Sequence, residues 1–283
     1  HSLTHWINDG LMTIFFLLIG LELEREIYDG ELSNIKNALL PIFAAVGGVL
    51  IPAGIYILFN YGTPTQGGAG IPMATDIAFA IGILALLGNR IPMSLKIFLT
   101  ALAVIDDLCA ILVIAIFYST GISFFNLGIA LAIFALLGLL NRMNIHLFLP
   151  YLIGGVAMWY FMLLSGVHAT ISGVLLAYVL PFGNGSKDSL SYKIQSFLHK
   201  PVAFVIVPIF ALANTAIIFN FGWHTGLLDL AALGIMFGLV IGKPVGILIF
   251  SYAVVAMGIC KLPPDLKWKH IAGAGMLAGI GFT

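Results

Sequence analysis

Four ionisable side chains lie inside long apolar stretches of this sequence, where bulk water would not reach them. Asp76, the adjacent pair Asp106 and Asp107, and Lys243 all have this setting. A charged side chain at the centre of a bilayer costs about 2.5–3.5 kcal/mol on insertion scales, so such residues usually face the interior of a helical bundle and are functional. A fixed ion pair that ties helices together is the structural alternative, but three acids against one base leave an excess of carboxylate.

The adjacent acids predict a site that binds protons and cations in turn. Asp106 and Asp107 would project about 100° apart from one helix, so only one can directly face a given partner. Burial and mutual repulsion predict that at least one exchanges a proton near neutral pH. A deprotonated carboxylate also coordinates hard monovalent cations. Lys243 is the natural counter-charge of Asp106, either as a structural tie or as a proton carrier released when a cation binds.

The composition indicates an all-α, polytopic integral membrane protein. Of 283 residues, 61% are apolar and 8% are charged, against roughly 45–50% and about 25% in soluble domains. The formal net charge is zero and there is no basic block, so nothing favours nucleic-acid binding. Cys109 and Cys260 are too few for a disulfide framework.

Ten apolar stretches predict about ten transmembrane segments, since a spanning helix needs about 20 apolar residues. The last stretch would end inside the bilayer with unpaired carbonyl groups, and the chain starts at His1. We therefore expect a fragment truncated at both ends of a larger protein, with at least one earlier helix. The stretches are 6–21, 38–59, 71–88, 95–117, 127–140, 147–164, 167–180, 202–219, 230–258 and 271–283.

The basic residues predict the orientation of these segments. All 12 except Lys243 lie in or beside alternating loops. By the positive-inside rule these loops face the cytoplasm. They carry Arg25, Lys36, Arg90, Lys96, Arg142, Lys187, Lys193, Lys200, Lys261, Lys267 and Lys269. No soluble domain is visible, so residues 1–283 are interpreted as one transmembrane transporter domain, and the polar loop 182–200 is the candidate boundary between two helical halves.

Two stretches are unsuited to a continuous helix. Pro72, Thr75 and Asp76 lie within 71–88, and glycine recurs along 271–283. An interrupted helix that lines a cavity tolerates such residues, and two interrupted spans indicate a transporter's binding site. Opposed half-helices would place their positive N-terminal ends and negative C-terminal ends inside the membrane. Asp76 would compensate the positive ends, and Lys243 would compensate the negative ends. Glycines that serve only tight packing are the alternative.

Some polar groups outside these stretches have two interpretations. His168 is either a packing residue or a pH-responsive group, and Asp9 fits a helix cap or a solvated acid better than a transport role. A group of charged residues follows the first apolar stretch and comprises Glu22, Glu24, Arg25 and Glu26. This group fits either a solvated helix end or part of a proton entrance.

Five motifs follow one another along the chain. They are Ala-Thr75-Asp76-Ile-Ala-Phe-Ala, Ala-Val-Ile-Asp106-Asp107-Leu, Ser-Gly-Val-His168-Ala-Thr, Ile-Gly-Lys243-Pro-Val-Gly and Gly279-Ile-Gly281-Phe-Thr. In this order they resemble the NhaA-type sodium/proton antiporters of bacterial inner membranes. The resemblance covers the whole chain, from the family's second helix into its eleventh. It implies twelve helices in the full protein, inverted repeats, and two crossed, interrupted helices at the ion site.

The resemblance also implies roles for individual residues. Asp106 and Asp107 would form the transient sodium and proton site, with Thr75 at the helix crossing as a further ion ligand. Asp76 would lie at the same crossing, and Lys243 would be the partner of Asp106. The pH response would involve His168, Glu22 and Glu26. Two departures stand out: Cys109 replaces the family's glycine, and Gln195-Ser196 replaces Glu-His, although His199 is kept.

We interpret the chain as an antiporter that exchanges sodium or lithium for protons. The resemblance implies that exchange is electrogenic, that it serves pH and sodium homeostasis in the bacterial inner membrane, and that the protein is a homodimer. No enzymatic activity and no organic cofactor are expected. A retinal-type pump needs seven helices, whereas this chain has ten apolar stretches. An intramembrane aspartyl protease needs acids on separate helices, whereas Asp106 and Asp107 share one. In a cation channel, Lys243 would repel the permeating ion. A sodium-coupled symporter is the closest rival on physical grounds alone.

Overall fold

The computed structural model describes residues 3–30, 33, 35–86, 91–117, 121–183, 185–215 and 228–281. Regular structure in these ranges is helical, without strands. The helices are α1 Leu3–Tyr28, α2 Ile35–Asn60, a 3₁₀ helix Gln66–Met73, α3 Ile77–Leu86, α4 Met93–Phe117, α5 Phe124–Arg142, α6 Phe148–Leu164, α7 Ile171–Val179, α8 (Leu190–Pro201 continued by Val202–Ile206 and Val207–Thr215), α9 Leu230–Ala256 and α10 Trp268–Ala278.

The described helices include five that are long and apolar enough to cross a membrane. They are Leu3–Tyr28, Ala38–Asn60, Phe124–Arg142, Leu190–Asn214 and Leu230–Ala256. Large apolar side chains on these helices are exposed, such as Leu58 at 80% and Phe124 at 81%, which suits contact with lipid. These features indicate a membrane protein. Helix occurs within all ten apolar stretches, whereas ten membrane crossings and an inverted repeat stay predictions.

Three of the long helices contain a π-helical turn. These turns lie at Ile7–Leu11 in α1, Val202–Ile206 in α8 and Gly238–Gly242 in α9. The turn in α8 directly follows Pro201, which has no backbone N–H for the regular helical bond. The turn in α9 ends immediately before Lys243. Such turns occur frequently at functional sites.

The first of two compact units comprises His1–Gly30 and Val113–Ile217. In it α1 packs closely on α7 because two glycines have no side chain. A Cβ atom on Gly20 would come within 2.6 Å of the Ala177 Cβ, and one on Gly173 would overlap the Thr13 carbonyl oxygen. The segment 182–200, predicted as a loop, lies in this unit and is helical from Leu190 onward, because the Ser189 side chain caps the helix at the Tyr192 amide. Its role as a boundary between helical halves stays a prediction.

The second unit comprises Glu31–Leu112 and Ile218–Thr283. Here α2 packs along α9 at Gly47 and Gly246, where a Cβ on either glycine would overlap the carbonyl oxygen of the other. A buried apolar core lines the inside of this unit and includes Leu99, Leu102, Ile247, Ile271 and Ala274. Two members of this core, Leu102 and Ile247, lie one helical turn from Asp106 and Lys243 on the same helices.

The predicted interruption of the third stretch is present in the second unit, whereas in the tenth stretch the helix ends at Ala278 and its resumption stays a prediction. We refer to residues 72–76 and 279–281 as the two interrupted segments. Within the 3₁₀ helix, Pro72 departs from helical geometry (φ −78°, ψ 21°). Ala74, directly after that helix, is extended (φ −72°, ψ 144°), and α3 begins only at Ile77. The helix α10 ends at Ala278, and the backbone at Ile280 is no longer helical. Residues 282 and 283, which complete the last motif, lie outside the described residues.

Candidate ion site

Asp106 and Lys243 form a buried ion pair in the second unit. The Lys243 Nζ atom lies 2.9 Å from Asp106 Oδ2, and both side chains are 0% exposed. Asp106 comes from the middle of α4, and Lys243 comes from α9 directly after its π-helical turn. The two residues that the sequence paired by charge are therefore in direct contact.

The Lys243 ammonium has a second acceptor in addition to the carboxylate. It donates a hydrogen bond to the carbonyl oxygen of Met73, at the C-terminal end of the 3₁₀ helix. Carbonyl groups at that end of a helix have no intrahelical donor and carry partial negative charge. One ammonium thus interacts with a side-chain acid and with the end of an interrupted segment.

The Thr75 hydroxyl lies between Asp106 and the end of α10. Its Oγ1 atom is 2.7 Å from Asp106 Oδ2 and 3.1 Å from the Ala278 carbonyl oxygen, and the residue is 3% exposed. A threonine hydroxyl has one proton to donate, so the two acceptors share a single donor. Thr75 therefore links the carboxylate directly to the second interrupted segment.

Asp76 joins the two interruptions through its backbone. Its amide donates to the Ile280 carbonyl oxygen at 2.8 Å, and its own carbonyl accepts from the Ala80 amide at 3.0 Å. The residue directly precedes α3, where an acidic group stabilises the positive end of a helix. Asp76 is partly exposed, in contrast to Asp106.

Burial along α4 changes between the two adjacent acids. The side chains of residues 101–106 are buried, and those of 107–110 are all partly exposed. Asp107 therefore lies on the accessible side of this change, and Asp106 lies on the closed side. Within the described part of the chain, the second carboxyl oxygen of Asp106, Oδ1, is buried and has no hydrogen-bond partner.

The site offers several oxygen atoms of the kind that hard cations prefer. They belong to the carboxyl group of Asp106, the Thr75 hydroxyl and the backbone carbonyls of Met73 and Ala278. Asp107 follows Asp106 on the same helix, and its part in the site stays a prediction. No group of three or more His, Cys, Asp or Glu residues that could hold a metal ion occurs in the described ranges. We refer to Thr75, Asp76, Asp106, Asp107 and Lys243 together as the candidate ion site.

The residues predicted to respond to pH all lie in the first unit. Glu22 Oε1 is 3.7 Å from His199 Nδ1, and both side chains are partly or largely exposed. Glu26 and His168 are partly exposed, and the His168 carbonyl accepts a hydrogen bond from the Ile171 amide at the start of α7. Their part in a pH response stays a prediction.

Two sequence interpretations of polar residues change with the structure. Asp9 lies inside the first π-helical turn, where its carboxylate is 2.9 Å from His5 Nδ1. Glu24, expected at a solvated helix end or a proton entrance, is only 4% exposed. Glu24 lies four residues after Gly20, on the face of α1 that packs on α7, and this packing explains its burial.

A buried acid–base pair where two interrupted segments meet, among helices apolar enough to span a membrane, is typical of secondary transporters. A family model described as Na+/H+ antiporter 1 matches residues 1–283. Similar relatives are Na(+)/H(+) antiporter NhaA 1 of Flavobacterium johnsoniae, 69% identical, and proteins named Na(+)/H(+) antiporter NhaA of Flavobacterium psychrophilum and Cytophaga hutchinsonii, 66% and 63% identical.

These alignments cover 100% of this chain and 74%, 74% and 73% of the respective relatives. The chain belongs to the Na+/H+ antiporter 1 family, which is a family of transporters. The resemblance noted from the five motifs is thereby confirmed.

Proposed function

We propose that this protein is a secondary active antiporter that exchanges sodium, or lithium, for protons across the bacterial inner membrane. Exchange is electrogenic and serves pH and sodium homeostasis. Family membership and the names of the relatives support the exchange reaction. The observation that carries the proposed mechanism is the state of Asp106, since one carboxyl oxygen binds Lys243 and Thr75 and the other has no partner among the described residues.

In the proposed mechanism, cation and protons compete for the two adjacent carboxyl groups. Asp107 is partly exposed and receives the incoming cation first. Asp106 supplies its unpartnered oxygen, Oδ1, from the closed side of the same helix. A proton on either carboxyl removes the negative charge that holds the cation, so the two ions exclude each other. This exclusion couples the two flows.

Three neighbours of the acids position the site in this proposal. Lys243 compensates Asp106 when no cation is bound and compensates the Met73 end of the 3₁₀ helix throughout. Thr75 orients the shared carboxyl oxygen and is a further ion ligand. Asp76 compensates the positive end of α3. Alternating access follows from movement of one helical bundle against the other.

The pH response and the homodimer are further parts of the proposal. They rest on the family resemblance and, for the pH response, on the position of its residues in the first unit. Glu22, Glu26 and His168 contribute to the pH response, with the Glu22–His199 contact as its structural basis. The protein acts as a homodimer in the lipid bilayer and uses no organic cofactor. Its transported partners are sodium, lithium and protons.

Ion flux in sealed proteoliposomes tests this function. An outward sodium gradient imposed across the membrane should drive protons inward, which a pH-sensitive dye in the lumen records as acidification. Proton movement in the same direction as sodium would indicate a symporter and overturn the proposal, and so would sodium flux without proton flux. Neither family membership nor the names of the relatives favour symport.

A further inference from the structure

We propose that Glu24 is a second proton-binding site of this protein, separate from the candidate ion site and located in the first unit. Glu24 belongs to α1 and is 4% exposed. Its Oε2 atom is buried and has no hydrogen-bond partner in the part of the chain that the structure describes. The inference does not depend on sodium transport, because it concerns the protonation and packing of the carboxyl group itself.

The nearest positive charge does not form an ion pair with Glu24 in the described structure. Arg25 follows it on α1 and therefore projects in a different direction. The guanidinium carbon of Arg25 lies 4.5 Å from the centre of the Tyr192 ring on α8. The positive charge of Arg25 favours the ionised form of Glu24, but this effect is smaller than the opposing effect of burial.

Among the described residues, the other titratable groups known to interact with Glu24 or its neighbour Glu22 do not pair a positive charge with Glu24. From α7, Tyr178 interacts electrostatically with Glu24, and Tyr28 on α1 interacts in turn with Tyr178. A phenol group carries no positive charge in either protonation state, so neither residue compensates a carboxylate. From α8, His199 lies against Glu22 rather than Glu24.

A buried carboxyl group in these surroundings is stable as the neutral acid. An ionised carboxylate that leaves water without a partner is strongly unfavourable, and the group takes up a proton instead. The packing of α1 on α7 therefore favours the neutral form of Glu24. The four-residue spacing from Gly20 places Glu24 one turn beyond the point where α1 approaches Ala177 most closely.

Loss of this proton is linked to the packing of the two helices. The ionised carboxylate needs water, which reaches it only if α1 and α7 separate locally near Glu24. The unfolded chain releases the same proton at lower pH than the folded chain does. The folded state thus binds more protons, and its stability falls as pH rises. Glu24 couples alkaline pH to loosening of the first unit at this end of α1.

Two neutral replacements and one acidic control test the inference. Glu24→Gln keeps the shape of the neutral acid, Glu24→Met keeps its length without polar atoms, and Glu22→Gln removes a neighbouring acid that is 28% exposed. Infrared spectra of the purified protein at neutral pH should show a carbonyl band of a protonated carboxyl group. This band should lose intensity in both Glu24 variants and keep it in Glu22→Gln.

Thermal unfolding gives the second readout. The melting temperature of the wild type should fall from mildly acidic to alkaline pH. The melting temperatures of both Glu24 variants should fall less over this range and should exceed that of the wild type at alkaline pH. An unchanged infrared band in Glu24→Gln, or an unaltered pH dependence of melting, would overturn the inference. Failure of both neutral variants to fold would also overturn it, because a site for a neutral acid accepts a neutral side chain of similar length. Sodium flux measured in parallel separates this result from the proposed function.

Discussion

The backbone amide of Asp76 donates a hydrogen bond of 2.8 Å to the carbonyl oxygen of Ile280, and so joins the two interrupted segments of the second unit. The Thr75 hydroxyl adds a second link, to the Ala278 carbonyl oxygen. Backbone groups freed by an interruption must find partners where no water is present. Each interruption here supplies partners for the other, so the irregular backbone that surrounds Asp106 is sustained by the pair of segments together.

Replacement of Asp107 by asparagine should abolish sodium-dependent proton release. The amide has nearly the volume of the acid but neither its charge nor its titration. Because Asp107 is partly exposed, folding should be retained, which size-exclusion chromatography and thermal unfolding verify. Fluorescence assays of proton flux measure the effect, and wild-type exchange by the folded variant would remove Asp107 from the proposed site.

Thr75→Val should weaken the candidate ion site more than Thr75→Ser does. Valine fills the space but leaves Asp106 Oδ2 and the Ala278 carbonyl without the shared hydroxyl donor. Loss of a donor to a buried acceptor costs about 1–3 kcal/mol, which should appear in unfolding and as a higher sodium concentration for half-maximal exchange. Equal effects of valine and serine would show that the hydroxyl is not the important group.

Lys243→Ala should destabilise the protein strongly at alkaline pH. Breaking a buried ion pair from one side typically costs about 3–5 kcal/mol, and both partners are 0% exposed. Asp106 avoids part of this cost by taking up a proton, which is easiest at acidic pH. The loss of melting temperature should therefore be larger at alkaline than at acidic pH.

The double variant Lys243→Ala with Asp106→Asn provides the control for this pair. Neither charge is left alone in it, so part of the stability lost in the single variants should return. Melting temperatures of wild type, both single variants and the double variant, each measured at two pH values, give the energetic coupling between Lys243 and Asp106. Strictly additive losses would mean that the two side chains are not energetically paired.

Gly246→Ala should destabilise the second unit, whereas Gly54→Ala should not. A Cβ on Gly246 would overlap the Gly47 carbonyl oxygen, and one on Gly54 would meet nothing within 4 Å. Overpacking costs about 1–3 kcal/mol, and alanine in an open helical position gains about 0.5–1 kcal/mol over glycine. Thermal unfolding compares the two alanine variants. Equal melting temperatures would contradict the close approach of α2 and α9.

Gln195→Glu combined with Ser196→His should shift the pH at which exchange becomes active. Both positions lie on α8, in the same helix as His199, whose imidazole faces Glu22. The change adds two titrating groups near that contact, and a pH profile of proton flux measures the outcome. An unchanged profile would show that these positions do not sense pH in this protein.

The sequence identifies the residues of the candidate ion site better than it identifies their partners. Asp106 and Lys243 stand out because charge is rare in apolar stretches, and Pro72 marks an interruption because proline disfavours helix. The carbonyl groups of Met73 and Ala278 leave no such mark, since every residue has a carbonyl. The burial of Glu24 depends on how α1 packs on α7, which local composition does not reveal.

The hydrogen bond from Lys243 to the Met73 carbonyl has a consequence for the dynamics of exchange. A lysine whose sole partner was Asp106 would lose its only acceptor whenever the acid became neutral, and its side chain would have to reorient in each cycle. The Met73 carbonyl does not titrate, so it can accept this hydrogen bond whatever the charge on Asp106. The ammonium therefore stays anchored as the charge on Asp106 changes, so proton exchange at the acid needs little rearrangement of the surrounding helices.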